Sequence, residues 1–304
     1  MRPFGLLGLL LAACVIPPAA PQPAASQARL DFLRALNLAE EGSKPEALRV
    51  LAEGLRQQPQ GNAASALAFE LLAELRTNSR LVLIGHRDAV LYAAFNSDGT
   101  KIVTASKDHT ARIWDARTGT PLTPPLQHGD DVLMAEFSPD GELVVTSSED
   151  GSARVWDVHT GSPVGVPMQA TDAIRSVKFS PDGRLVATGS DNGTARIWDA
   201  RTGVPVSPLI RYHAAVFSVN FSPDGSRIIT GTGDGVAEIF DAKTGSRLLS
   251  ALTHANNVYS AVFSSDGRYI LTGSADRTAR VWDAKTGRPL GLPLQHGIAN
   301  SLIE

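Results

Sequence analysis

Ile113-Trp114-Asp115 returns as Val155-Trp156-Asp157, Ile197-Trp198-Asp199, Ile239-Phe240-Asp241 and Val281-Trp282-Asp283, four consecutive steps of 42 residues with no insertion. A fixed period in this range marks an array of one supersecondary unit, stacked because a single unit cannot bury its own apolar faces. Outward from that word, a tight turn reads Ser-Pro-Asp-Gly at Ser138 to Gly141, Ser180 to Gly183 and Ser222 to Gly225, with variants at Asn96 to Gly99 and Ser264 to Gly267. Proline sets φ early in such a turn, Asp bonds the nearby backbone, and Gly takes the positive φ that closes it. Before the turn, Ser176-Val177-Lys178-Phe179 and Ser218-Val219-Asn220-Phe221 alternate polar with apolar, and Phe95, Phe137, Phe179, Phe221 and Phe263 hold one register that predicts an inward ring. After it come β-branched runs such as Leu143-Val144-Val145-Thr146 and Ile228-Ile229-Thr230, which suit a strand buried on both faces. The alternation and the turns predict antiparallel strands in tight succession.

A His about 28 positions before the Trp, an Asp six before it and the closing Trp-Asp resemble the WD-repeat family of β-propellers. The His register runs His86, His128, Ala170, Tyr212, His254, His296, and the Asp register Asp108, Asp150, Asn192, Asp234, Asp276. The resemblance spans roughly residues 81–304. It implies four-stranded blades, each tied by a tetrad of His, Ser/Thr, Asp and Trp, with Thr104, Thr146, Thr188, Thr230 and Thr272 as the hydroxyl members. Three tetrads are complete on this reading: His86, Thr104, Asp108, Trp114; then His128, Thr146, Asp150, Trp156; then His254, Thr272, Asp276, Trp282. Ala170 and Asn192 break the third, and Tyr212 with Phe240 removes two members of the fourth. The expected class is therefore mainly β, a WD-repeat propeller of five complete blades and an incomplete sixth, preceded by a small helical segment. Leu81 to Gly85 is expected to supply an outer strand for the sixth blade, with part of an inner strand around Ala299 to Ile303. An open or strained arc with an unpaired strand edge follows, and with it self-association.

The chain has 304 residues, a formal charge of −3 and a pI near 6.2, so no basic surface for nucleic acid is expected. Its one cysteine, Cys14, excludes a disulfide framework and a thiolate metal site. Arg2, the apolar stretch Phe4 to Leu10 and then Leu11-Ala12-Ala13-Cys14 resemble a bacterial lipoprotein signal, too short to span a bilayer, with Cys14 as the lipidated residue. The expected division is a signal over 1–13, a Pro/Ala tether over 14–26, a helical segment over 27–78 and the propeller over 81–304. An ordinary signal peptide cut at a later alanine is the alternative. Within 27–78, Ser43 with Glu46 reads as a capping box, Pro45 falls in the first turn, and the first two helices with Pro59 weakly resemble one tetratricopeptide unit.

Chemistry that occurs once is sparse. Gly231-Thr232-Gly233-Asp234-Gly235 superficially matches a phosphate loop, but its register makes it a strand end and a turn with no helix behind it. The register histidines lack the companions of a metal site, so no metal or cofactor is expected. Arg112, Arg154, Arg196 and Arg280 recur at one strand position and read as a solvated face. Function is sought where equivalent positions differ: five residues after the His register stand Leu91, Leu133, Arg175, Phe217 and Tyr259, and one before the tetrad Asp stand Lys107, Glu149 and Asp191. Aromatic and Arg side chains of this kind anchor interfaces. The reading is a non-enzymatic scaffold for a protein partner, exported to the bacterial envelope. The rival is a propeller enzyme at the central channel, drawing on Arg175, His109, His159 and Glu149; an incomplete gene product without its own role is a third reading.

Overall fold

A computed structural model describes residues 81–249 and 251–295. The signal, the tether, Cys14, the helical segment and the strand expected around Ala299 to Ile303 lie outside the described residues. Among the described residues there are strands and turns and no helix, hence none long and apolar enough to cross a membrane.

Five blades follow one another, each a four-stranded antiparallel sheet whose strands are neighbours in sequence order. Blade one holds β1 (Val90–Phe95), β2 (Lys101–Ser106), β3 (Thr110–Asp115) and β4 (Leu126–Gln127); blade two holds β5 (Val132–Phe137), β6 (Leu143–Ser148), β7 (Ser152–Asp157) and β8 (Pro163–Gln169). Blade three holds β9 (Ile174–Phe179), β10 (Leu185–Ser190), β11 (Thr194–Asp199) and β12 (Ile210–Arg211). Blade four holds β13 (Val216–Phe221), β14 (Arg227–Thr232), β15 (Val236–Asp241) and β16 (Leu252–Thr253), and blade five β17 (Val258–Phe263), β18 (Tyr269–Ser274), β19 (Thr278–Asp283) and β20 (Leu294–Gln295). The second strand of blade two is buried along its whole length, as a β-branched run between two blades should be.

The turns do what their sequence requires. In Ser-Pro-Asp-Gly the Ser138 Oγ donates to Asp140 and accepts from the Leu143 N–H, while Gly141 sits at φ 74°. After each third strand the closing Asp caps a second turn: Asp157 accepts from the Thr160 N–H at 2.8 Å and from its hydroxyl at 2.9 Å. The same pair recurs at Asp115, Asp199, Asp241 and Asp283, which explains why Asp closes the third strand of every unit, after Trp in four and after Phe240 in one.

The core lies between blades. Each hydrophobic cluster joins two consecutive ones: Val103, Ile113 and Leu126 of blade one meet Val132, Phe137 and Val144 of blade two, and the pattern repeats at three further joints. Among the described residues none joins blade five to blade one, so the array is open.

Two expectations are corrected here. Leu81 to Gly85 forms no strand. An outer strand such as β4 pairs with the third strand of its own unit, and the described residues hold no unit ahead of β1 for this segment to join. It lies instead against blade one, where a Cβ on Gly85 would come within 2.9 Å of the Trp114 ring and one on Gly119 within 3.0 Å of Leu81. The phenylalanine ring is not uniformly inward either: Phe137 and Phe179 are 5% and 6% exposed but Phe95 is 66% exposed, because among the described residues no blade precedes its own.

Candidate functional site

Three tetrads join a histidine to a carboxylate held well below its usual range. In blade two, Trp156 Nε1 donates to Thr146 Oγ1 at 2.8 Å, His128 Nε2 lies 2.7 Å from the same oxygen, and His128 Nδ1 lies 3.2 Å from Asp150. Asp150 also accepts from the Gly129 N–H at 2.8 Å. Blade one repeats this with His86 at 2.6 Å from Thr104 and 2.9 Å from Asp108, and Trp114 donating at 2.8 Å; blade five does so with His254 at 2.7 Å from Thr272 and 2.9 Å from Asp276, and Trp282 donating at 2.8 Å.

The order carboxylate, imidazole, hydroxyl is that of a nucleophilic relay. Here it holds the blade together. Thr104, Thr146 and Thr272 are buried, and each hydroxyl oxygen already takes the indole N–H, so no substrate carbonyl can reach it. Burial pushes His128 down to about 4, against the pull of Asp150, so its ring is neutral and fixed between two partners. Burial works to raise Asp150, but hydrogen bonds from Ser152 and Gly129 outweigh it and hold the carboxyl at about 2.

Blades three and four depart from this, and blade four less than its letters suggest. The Tyr212 phenol reaches Thr230 Oγ1 at 2.5 Å, and its ring stands edge-on to Phe240 at 6.3 Å, where blades one, two and five set His edge-on to Trp at about 6 Å. A tyrosine thus spans the distance a histidine covers elsewhere. In blade three Trp198 still donates to Thr188 at 2.9 Å, while Asn192 turns to Thr171 and Thr194. The recurring arginines are not simply solvated: Arg196 lies over the Trp198 ring at 5.1 Å and Arg112 over Trp114 at 5.9 Å.

The positions that vary gather at one end of the array, where first strands begin and second strands finish. Leu91, Leu133, Arg175, Phe217 and Tyr259 each stand second in the first strand of their blade. Arg175 bridges two blades, its Nε 2.7 Å from Asp191 and its Nη1 3.2 Å from Glu149. Phe217 and Tyr259 form a tilted pair with ring centres 5.2 Å apart. Tyr259 is 56% exposed and Leu91 is exposed, whereas Leu133, Arg175 and Phe217 are half-buried. Lys107 reaches Asp131 at 3.9 Å.

His109, one of the residues named for an enzyme, holds a φ of 64° where blades two to four place glycine, and lies 3.8 and 3.7 Å from Asp130 and Asp131. Those three side chains could offer one ligand atom each to a cation, but they are largely exposed and paired among themselves. Of the residues named for an enzyme, Arg175 and Glu149 meet, whereas His159 lies 3.0 Å from Glu142 beside the turns at the opposite end. The Gly231 to Gly235 stretch closes β14 and forms the turn into β15, as a strand end rather than a phosphate cradle.

The WD domain, G-beta repeat family matches residues 77–115, 119–157, 161–199, 205–241 and 246–283. The chain belongs to the WD40 repeat family. No curated protein matches it. Among solved structures it is similar to the computationally designed Ika8 protein, at 28% identity and a TM-score of 0.64 over 71% of this chain. The match spans 65% of the designed protein's length.

Proposed function

We propose that this chain is a protein-interaction scaffold that takes its partner on the end of the array bearing Arg175, Phe217 and Tyr259. The aromatic pair carries the reading: a large ring left 56% exposed beside a second one, with a guanidinium held between two carboxylates at the equivalent position of the preceding blade, has the composition of an interface centre. Leu91, Leu133, Lys107, Glu149 and Asp191 complete the surface around it. The scaffold class itself is the ordinary role of WD40 repeats. Delivery to a bacterial envelope through lipidation of Cys14 is the second part of the proposal, supported by the apolar stretch and small residues ahead of that cysteine.

A partner identified by crosslinking in envelope extracts and then purified supplies the test. Phe217→Ala with Tyr259→Ala should weaken its binding at least tenfold while lowering the unfolding midpoint by only about 2–4 °C, the effect of losing one aromatic pair. Unchanged affinity would defeat the docking face, and a much larger fall in midpoint would assign the rings to the core. Cys14→Ser should move the chain from the membrane to the soluble fraction, and an unchanged distribution would rule out the anchor.

A further inference from the structure

Interior joints show what a joint between blades needs. A leading face offers the register of Val132, Phe137 and Val144, and the trailing face of the blade before it offers that of Val103, Ile113 and Leu126. The two ends of the array carry one half each. Val90, Phe95 and Ile102 repeat the leading register on blade one, and Leu271, Val281 and Leu294 repeat the trailing register on blade five. Leu271 is 44% and Leu294 61% exposed, whereas Val103, Val145, Ile229 and Leu126 at the same registers are 0% exposed.

Terminal units of a stacked array need a polar outer face to stand in water. Among the described residues neither end of this one has it; both keep the apolar residue types of a joint. Two smaller features match. Gly189 and Gly231 admit the next blade so closely that a Cβ would fall 2.7 Å from Val216 and 2.9 Å from Val258. Gly273 keeps the glycine, although a Cβ there would meet nothing nearer than Ser260 at 4.0 Å. Across interior joints the Ser176 and Ser218 hydroxyls accept the Val219 and Ala261 N–H groups at 3.0 and 3.2 Å. Ser260, next in that register, is exposed, and so is Ala93, which carries the matching N–H at the other end.

We propose that the trailing face of blade five seats the leading face of blade one from a second copy of this chain. The joint repeats the interior ones: Phe95 and Val90 of one copy cover Leu271, Gly273 and Leu294 of the other, and Ser260 accepts the Ala93 N–H. The contact is heterologous, so copies add head to tail and form a ring or a climbing stack according to whether the rotation closes. What is joined is a sheet face, not the unpaired strand edge expected from the sequence. The proposal is independent of the docking face, and either can fail alone.

The test uses the full 304-residue chain with Cys14→Ser throughout, so that no lipid contributes. In sedimentation velocity this chain should run as a dimer or larger species, increasing with concentration. Phe95→Glu destroys one half of the joint and Leu271→Glu the other, so each variant alone should be a monomer, and an equimolar mixture should form a dimer and stop there. Circular dichroism checks that both keep the parental fold. If either glutamate variant unfolds, Gly273→Leu decides: it points into open space in the free chain, yet should weaken assembly at least tenfold by filling the seat of Val90. A monomeric parent would overturn the proposal, since other residues of the same chain would then cover these faces or the ring would close on itself. Single variants that assemble like the parent, or a mixture that stays monomeric while both variants remain folded, would overturn it too.

Discussion

Blades two and three have the same strand order, the same turns and the same buried indole, but only blade two has the polar tie across it. His128 and Asp150 lock the start of β5 to the turn after β6, while blade three, with Ala170 and Asn192, leaves that corner to an amide and a threonine. Both blades are nonetheless sealed by comparable apolar clusters on either side. The difference separates two jobs: packing between blades makes the fold, and the tetrad fixes one corner of a blade already made.

That division can be broken most visibly at the indoles. Trp156→Ala and Trp198→Ala should each cost about 3–5 kcal/mol in chemical denaturation and agree with each other to about 1 kcal/mol, because both rings are 5% exposed and both keep their threonine. A Trp198 cost well below that of Trp156 would mean the tetrad, not packing, holds the ring.

Acid should separate the blades next. His128 is held at about 4 in the fold against 6.5 as its ordinary value, so the folded state binds fewer protons. Its contribution is fully present above about pH 6.5 and is lost as pH falls from there towards 4, on the order of 3 kcal/mol in all. Asp150, depressed to about 2, adds a loss only below about pH 4. Stability measured from pH 7 to 4 should fall for the parent and fall less for His128→Ala; equal slopes would take His128 out of the account.

Asp150→Ala should cost about 2–3 kcal/mol, since it strands the Gly129 N–H and the His128 ring, while Asn192→Ala should cost about 1 kcal/mol. Similar values from thermal unfolding would show the two corners to be equivalent. The smallest effect is a gain: His109→Gly should add about 0.5–1 kcal/mol by relieving a positive φ that blades two to four give to glycine. A loss would show that the His109 contacts with Asp130 and Asp131 outweigh the backbone.

The blades and their turns were legible because each depends on residues within one period. Trp, closing Asp and Ser-Pro-Asp-Gly are local devices, and repetition exposed their registers five times over, variants included. What was illegible depends on neighbours. Phe95 reads like Phe137 until one asks which blade lies beneath it, and the period cannot answer. Leu81 to Gly85 has the offset of an outer strand but, among the described residues, no third strand to bond. Tyr212 looked like a lost tetrad member because residue type hides reach: a phenol carries its oxygen far enough to meet Thr230. The Arg175 bridge joins Glu149 and Asp191, 26 and 16 residues away on two blades, and no periodic signal reports such a pair.

Each blade is also complete within one stretch of chain, without borrowing a strand from the far end. That contiguity governs how the molecule comes into being. A blade can form as soon as its own residues have emerged, whether from the ribosome or on the far side of a membrane, with short loops to close and a finished neighbour to condense upon. Emergence and folding can then run in the same direction, one unit at a time, and no early blade waits unpaired for a strand from a later one.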